Sequence, residues 1–367
     1  MKTAIVHDEL LRRGGAERVV ISLHKLYPNA TIFTSAYEPD STFEYFKSCA
    51  IKTTFLNKWV RNEKQLMLLF FPFGMLAMKS LNLKGYDLII LSSAHGAQYI
   101  RKPKGAKVIN YAHYVFRLVW EPESYAWFQN SLIRTITKPT FYFLRKLDKW
   151  LNVNADYTIF NSKRTQKTYL EVFNGLKNYS VINPPVSLDQ FSPTDQVGDF
   201  YLVVSRMEPY KRVDLVIKAF QSLSDKKLIV VGSGTQKSVL QQMASGHDNI
   251  SFEEGVSQER LRDLYAICKA LIFPQVEDFG ITPLEANASG RPVIAYGEGG
   301  VLETMIPYGR SNPTAVFFDE QNADSLISAI HLFESVHFLQ EDCLNNVKRF
   351  EQKYFHEKIQ ESVDRLN

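Results

Sequence analysis

The chain has few cysteines, Cys49, Cys268 and Cys343 in 367 residues. They are scattered, odd in number, and lack both CxxC spacing and histidine partners. That argues against a disulfide framework or a zinc site, and free thiols in a reducing cytoplasm are expected. No GxGxxG stretch occurs, so a nicotinamide-dependent reading loses its main support. No low-complexity tract or short internal repeat appears. Long apolar runs are also missing. The longest, "LMLLFFPFGMLAM" (66–78), is too short to span a bilayer and carries a proline. The opening stretch "MKTAIVHDELLRRGG" turns polar at His7, too early for a signal peptide.

What is present is an ordinary globular composition, 45% apolar and 22% charged. The length favours two domains over one core. The net charge of +4 is unevenly spread. Residues 1–200 hold 26 Lys/Arg against 16 Asp/Glu, and the remainder 17 against 23. The excess concentrates in 51–150, with 16 basic and 5 acidic side chains. There the cations interleave with aromatics, as in "KWVRNEKQLMLLFFPFGMLAMK" and "SLIRTITKPTFYFLRKLDKW". This pattern suits an anionic membrane surface. It would also suit nucleic acid, or a solvated face around core helices.

Short, β-branched apolar runs alternate with amphipathic helical stretches. The strand candidates are 3–7, 31–35, 87–92, 107–113 and 157–162, then 201–206, 227–234, 249–255, 270–275, 292–296 and 314–318. Near-continuous apolar strands separated by helices predict parallel sheets covered on both faces. The series runs twice, which predicts two doubly wound, Rossmann-like α/β domains. The seam is expected in "VINPPVSLDQFSPTDQVGD" (181–199), at the adjacent Pro184 and Pro185. The expected domains are 1–183 and 184–348, with a C-terminal helix from 349–367 packing back toward the first. A ligand is expected in a cleft facing the carboxyl ends of both sheets.

Four stretches carry candidate chemistry. In "HDELLRRGGAERVV", Gly14 and Gly15 precede a helix, where backbone N–H groups and the helix dipole suit an anion; a plain loop has the same sequence. In "SRMEPYKRVDLVIKAF", Arg206 ends a strand and Lys211 and Arg212 precede a helix. Fixed cations there suit a diphosphate, and Arg212 reads equally as surface charge. In "VINYAHYVFRLVWEP", His113 follows a strand; a lone histidine is more often structural. In "VEDFGITPLEANASGRPVIAY" (276–296), Thr282-Pro283-Leu284-Glu285 reads as a capping box with Thr282 at the N-cap. Glu277 lies at a strand mouth with no capping or ion-pair duty visible in the sequence, and a carboxylate there can accept from paired sugar hydroxyls. "GEGGVLET" (297–304) adds a second glycine pair before a helix.

Together, "GGAERV", "VINPPV", "SRMEPYKRVDLVIKAF" and "EDFGITPLEANASGRPVIAYGEGG" resemble, in kind, order and spacing, the family-4 retaining glycosyltransferases with the GT-B fold. Within that family the chain resembles bacterial mannosyltransferases of O-antigen and related polysaccharide assembly. The resemblance implies transfer of a hexose, mannose from GDP-mannose, onto a lipid-linked or oligosaccharide acceptor at the cytoplasmic membrane face, with no nucleic-acid partner. It implies that Gly15 offers its N–H to the donor diphosphate, which Arg206 and Lys211 neutralise. Glu277 would bind the sugar hydroxyls, with backbone N–H groups near Phe279, Gly280 and Ile281. Glu285 would accept from the ribose, His113 would lie beside the transferred sugar, and the base would rest near Gly255 and Val256. No Asp-x-Asp pair occurs, which agrees with the absence of a required metal or cofactor. A nucleotide-sugar epimerase on the same fold and a non-catalytic donor-binding subunit are the competing readings.

Overall fold

The structure, a computed structural model, describes all residues except 63–64, 67–72, 125–127, 129–130, 187 and 367. Much of the apolar run 66–78, and with it the middle of the basic, aromatic stretch 58–79, therefore lies outside the described residues. The chain divides into two compact units, Met1–Pro185 with Gln352–Asn367, and Val186–Glu351.

The first unit is built on a seven-stranded sheet in the order β3-β2-β1-β4-β5-β6-β7. Its strands are β1 (Thr3–His7), β2 (Thr31–Thr34), β3 (Ile51–Thr53), β4 (Leu88–Ser93), β5 (Lys107–Ala112), β6 (Tyr157–Phe160) and β7 (Tyr179–Val181). The second holds a six-stranded sheet in the order β10-β9-β8-β11-β12-β13. These are β8 (Phe200–Val204), β9 (Lys227–Val231), β10 (Ile250–Glu253), β11 (Leu271–Phe273), β12 (Val293–Tyr296) and β13 (Ala315–Phe318). Every pairing in both sheets is parallel. Five helices matter below: α1 (Gly15–Leu26), α2 (Ser131–Leu151), α3 (Val213–Ser222), α4 (Ile281–Ala288) and α5 (Gln352–Asp364).

Alternate residues of each strand enter opposite cores, as the two-residue period of a strand requires. In the first unit Ala4, Val6, Ile89 and Leu91 pack on one face, and Ile5, Leu88, Ile90 and Ile109 on the other. In the second, Tyr201 and Val203 oppose Phe200 and Leu202 in the same way. The two strands that the apolar pattern did not announce, β3 and β7, are three-residue edge strands with half-exposed side chains. Edge position removes the burial on both faces that makes the central strands legible.

α5 completes the first unit. Phe355, Ile359 and Val363 are buried in the cluster that holds Val19, Val20 and Leu23 of α1. His356 Nε2 lies 2.9 Å from the Ser22 carbonyl oxygen, and the Tyr27 hydroxyl donates to Gln360 at 3.1 Å. Burial of three such apolar side chains contributes several kcal/mol, about 1.5–3 each. The chain leaves the unit after Pro185 and re-enters at Gln352. Where these crossings meet the second unit they run side by side, with the Val186 N–H donating to the Phe350 carbonyl at 2.9 Å.

Candidate active site

In the second unit the strand order reverses between β8 and β11, which are neighbours although β9 and β10 intervene in sequence. Ligands of open α/β sheets bind outside the carboxyl ends of the strands at such a reversal. The loops leaving β8 and β11 carry Arg206, Lys211 and Glu277 there. Lys211 Nζ forms a salt bridge with Glu277 Oε1, and Gln275 donates to the same oxygen at 3.2 Å. Both charges are half-buried. Glu277 therefore does have an ion-pair partner, which the sequence alone did not reveal. Lys211 lies 66 positions away, on another strand's loop, and only the sheet order makes them adjacent.

β8 stops at Val204, so Arg206 lies in the loop and not at the strand end. It is exposed, and its guanidinium donates to the Tyr210 hydroxyl at 2.6 Å. The Tyr210 ring carries Lys211 Nζ at 5.1 Å from its centroid, so the ring holds both cations on one loop. Arg212, which also read as plain surface charge, is structural. It adopts a left-handed backbone (φ 53°) at the start of α3, and its side chain donates to Gln321 at 2.8 Å.

The β11 loop is held from behind by the glycine pair of "GEGG". The Gly300 N–H donates to the Glu277 carbonyl at 2.8 Å. A Cβ on Gly299, whose φ is +86°, would approach that carbonyl oxygen to 2.6 Å. These glycines set the Glu277 backbone through close packing.

The capping box does not form. α4 begins at Ile281 with Gly280 as N-cap (φ 87°) and no side-chain cap. Thr282 is already inside the first turn, because glycine reaches the left-handed conformation that starts the helix two residues earlier than Pro283 suggested. Glu285 thus sits further along the helix, buried, and its Oε2 accepts from the Tyr265 hydroxyl at 2.9 Å. Phe279 is a core residue, edge-on to Phe350 at 5.7 Å. Val256 and Ile281 are half-buried against the same core.

The first unit has its own reversal, between β1 and β4. A dense polar cluster sits there, which the sequence reading did not assemble. Asp8 follows β1, and its two carboxylate oxygens accept four backbone N–H groups, from Ala94, His95, Gly96 and Ala97, at 2.6–3.1 Å. His95 Nε2 lies 2.9 Å from Glu9. Burial lowers the His95 pKa, but Glu9 and Asp8 outweigh it and hold the imidazole at about 9. Asp8, Glu9 and His95 place one ligand atom each within 4.8 Å of one another, the spacing of a metal site. The Asp8 oxygens accept the four amide donors, and the neighbouring carboxylates favour the imidazolium form of His95.

Beside them His7 is buried, with Nε2 3.8 Å from Glu17. Burial lowers its pKa, and Glu17, Asp8 and Glu9 reverse the direction to a net rise. Arg12 reaches both Glu9 and Glu17 at 3.3 Å. Gly15 is the first residue of α1, after the Gly14 N-cap. The turn already faces a carboxylate, since a Cβ on Gly14 would come within 2.6 Å of Glu17 Oε2. His113, half-buried just past β5, touches this cluster through Ser92, whose hydroxyl is 2.7 Å from its Nε2. Burial first, and then the charge on His7, push the His113 pKa down to about 4.

Residues 188–350 match the family model for glycosyl transferases, group 1. The chain is 24% identical over 395 residues to the alpha-1,3/1,6-mannosyltransferase ALG2 of Candida glabrata, covering 90% of this chain and 84% of that protein. It is 29% identical over 204 residues to a GDP-mannose-dependent alpha-(1-6)-phosphatidylinositol monomannoside mannosyltransferase of Mycolicibacterium smegmatis, covering 48% of this chain and 52% of that protein. Among solved structures it is similar to sucrose-phosphate synthase from Thermosynechococcus elongatus, with a TM-score of 0.75 at 18% identity, covering 100% and 99% of the two chains. Anabaena HepE in complex with UDP and glucose matches with a TM-score of 0.70 at 16% identity, covering 99% and 100%. Two Rossmann-like parallel-sheet domains of the GT-B class are thus the fold.

Of the residues singled out in sequence, the structure joins Lys211 to Glu277 directly and Arg206 to them through Tyr210. It places Glu285 against Tyr265, and His113 and Gly15 in the other unit. Asp8, Glu9, Ser92 and His95 were missed. Their signal is positional: each follows or ends an apolar run that becomes β1 or β4, so each sits at a carboxyl end of the sheet.

Proposed function

We propose that the protein is a retaining, metal-independent glycosyltransferase that moves mannose from GDP-mannose onto a lipid-linked or oligosaccharide acceptor in cell-surface polysaccharide assembly. The observation that carries this reading is the Lys211–Glu277 pair at the strand reversal of the unit that matches the group 1 model. The mannosyltransferase relatives support the sugar, and the GDP-mannose dependence in the name of one of them supports the donor.

In this reading Lys211 and Arg206 turn to the diphosphate as the bond from the anomeric carbon to its oxygen breaks. Fixed cations stabilise that developing charge without reorganisation. Glu277, released from Lys211, accepts from sugar hydroxyls. Glu285 holds the ribose, and the base rests near Val256. Backbone N–H groups at Phe279, Gly280, Ile281 and Gly15 assist, and His113 contacts the sugar. The acceptor hydroxyl oxygen takes the anomeric carbon, and its proton passes to the leaving diphosphate.

The acceptor side favours a membrane location at the cytoplasmic face. No helix among the described residues is long and apolar enough to cross a membrane. α2 nevertheless exposes Leu132, Ile136, Phe143 and Trp150 along one stripe, each at least 63% exposed. Lys146, three residues from Phe143 and four from Trp150, lies beside it, and a cation beside an apolar stripe suits an anionic bilayer. Replacing Phe143 and Trp150 by serine is expected to weaken binding to anionic vesicles about tenfold per side chain; unchanged sedimentation with vesicles would remove the membrane from the reading.

The decisive assay compares GDP-mannose with UDP-glucose as radiolabelled donors on isolated membrane lipid, with and without EDTA. Transfer of mannose with retained anomeric configuration and no loss in EDTA is the expected result. Transfer from UDP-glucose alone would overturn the donor. Epimerised nucleotide sugar without acceptor would overturn transfer itself.

A further inference from the structure

The arrangement behind His113 determines where its proton lies. His7 Nδ1 is 3.1 Å from the Ser92 carbonyl oxygen and 3.0 Å from the Ser92 hydroxyl. A carbonyl oxygen only accepts, so His7 Nδ1 carries a hydrogen and donates. Ser92 is fully buried, and a buried hydroxyl that fails to donate costs about 1–3 kcal/mol. With His7 as donor, the acceptor that remains for the Ser92 proton is His113 Nε2, at 2.7 Å. That nitrogen then lacks a hydrogen, and a neutral imidazole carries its one proton on the other side. His113 Nδ1 has no hydrogen-bond partner among the described residues.

We infer that Ser92, oriented by His7, is a positioning residue that fixes His113 as the neutral tautomer with its proton on Nδ1, so that His113 meets its ligand as a hydrogen-bond donor. The oxygen that Nδ1 meets is a sugar hydroxyl, and this part alone rests on the glycosyltransferase reading. The chain of contacts runs from Glu17 through His7 and Ser92 to His113, from the first turn of α1 across β1 and β4 to the end of β5. Asp8, Glu17 and Arg12 also face the pair of histidines electrostatically. The positive charge on His7 opposes a second charge on His113, in agreement with the low pKa of the latter. His113 is therefore no proton acceptor for an incoming hydroxyl near neutral pH, since its Nε2 lone pair is already engaged by Ser92.

The test is two-bond 1H–15N correlation of the protein labelled with 15N-histidine, without substrate, with His113 assigned from the His113→Gln spectrum. The wild-type protein is expected to show His113 protonated on Nδ1 alone throughout pH 5.5–8. Protonation on Nε2, or a mixture of tautomers, would overturn the inference with no variant needed. Ser92→Ala is expected to release the tautomer into a mixture, and Ser92→Thr, which keeps the hydroxyl, to restore it. A Ser92→Ala spectrum identical to wild type would also overturn it. His7→Asn keeps a donor at the Nδ1 position but removes the charge. It should leave the tautomer fixed while raising the His113 pKa by about one unit; an unmoved pKa counts against the role given to His7. Because these readouts need no sugar, a fixed Nδ1 proton in a protein that transfers no sugar would sustain the tautomer and sink the glycosyltransferase reading.

Discussion

The two strand reversals solve opposite problems with the same topology. At the β1/β4 reversal the three carboxylates of Asp8, Glu9 and Glu17 are buried and ion-paired: they face Arg12 and the raised imidazoles of His7 and His95. At the β8/β11 reversal, Lys211 and Glu277 are half-buried and Arg206 is exposed. A buried set of ion-paired carboxylates holds geometry, because taking a partner away strands a charge in low dielectric. A half-exposed pair can be parted by a ligand that replaces each partner. In the proposed function the first reversal accordingly positions His113, and the second exchanges its ion pair for a substrate.

The comparison breaks most readily at Asp8. Asp8→Ala leaves four amide donors without their acceptor and removes a charge beside His95. A loss of about 3–5 kcal/mol in unfolding free energy is expected, read by urea denaturation. A loss under 1 kcal/mol would mean that the cluster is not structural. Asp8→Asn should recover part of that loss.

Next in size is the exchange at the other reversal. Lys211→Ala and Glu277→Ala should each lower the transfer rate about 100- to 1000-fold. Stability should change by only about 1 kcal/mol in each, as for a partly exposed pair. The double variant sharpens the contrast. If the pair served the fold alone, removing both partners would restore whatever either removal lost. The expected result is recovered stability with transfer still lost, measured on one preparation by denaturation and by initial rates.

How much of this was legible in the sequence follows from the same contrast. Strands such as "TAIVH" and "DLIILS" were readable because burial on both faces leaves a continuous apolar run. Glu277 and Lys211 were readable as candidates because they stand in stretches with family resemblance. Their pairing was not, because it depends on β11 lying beside β8. The Asp8 cluster escaped for a related reason. His7, Asp8, Ser92 and His95 are ordinary residues in their own segments, and only the register that sets His7 opposite Ser92 collects them. The capping box failed on a local matter: one glycine with a left-handed backbone moved the helix start ahead of the proline.

The smallest effect, and the one that separates the units most cleanly, is pH. His113 titrates near 4 when folded and at 6.5 when unfolded. As pH falls from 6.5 toward 4 the unfolded chain gains a proton that the folded unit refuses, so stability declines across that window. His24 and His356, in the same unit, are shifted in the same direction by burial. His95 runs the other way: its folded pKa of about 9 gives stability that is complete below 6.5 and lost as pH rises through 9. The first unit should thus be most stable near pH 6.5, where the two windows meet, with a decline of about 2–3 kcal/mol toward each extreme. The Lys211–Glu277 site contains no histidine to impose either slope. Hydrogen exchange at pH 5, 7 and 9, corrected for intrinsic rates, is expected to show β1, β4 and β5 losing protection at both extremes while β8 and β11 hold theirs. Equal trends in the two sheets would mean that the histidine cluster does not set the stability of its unit.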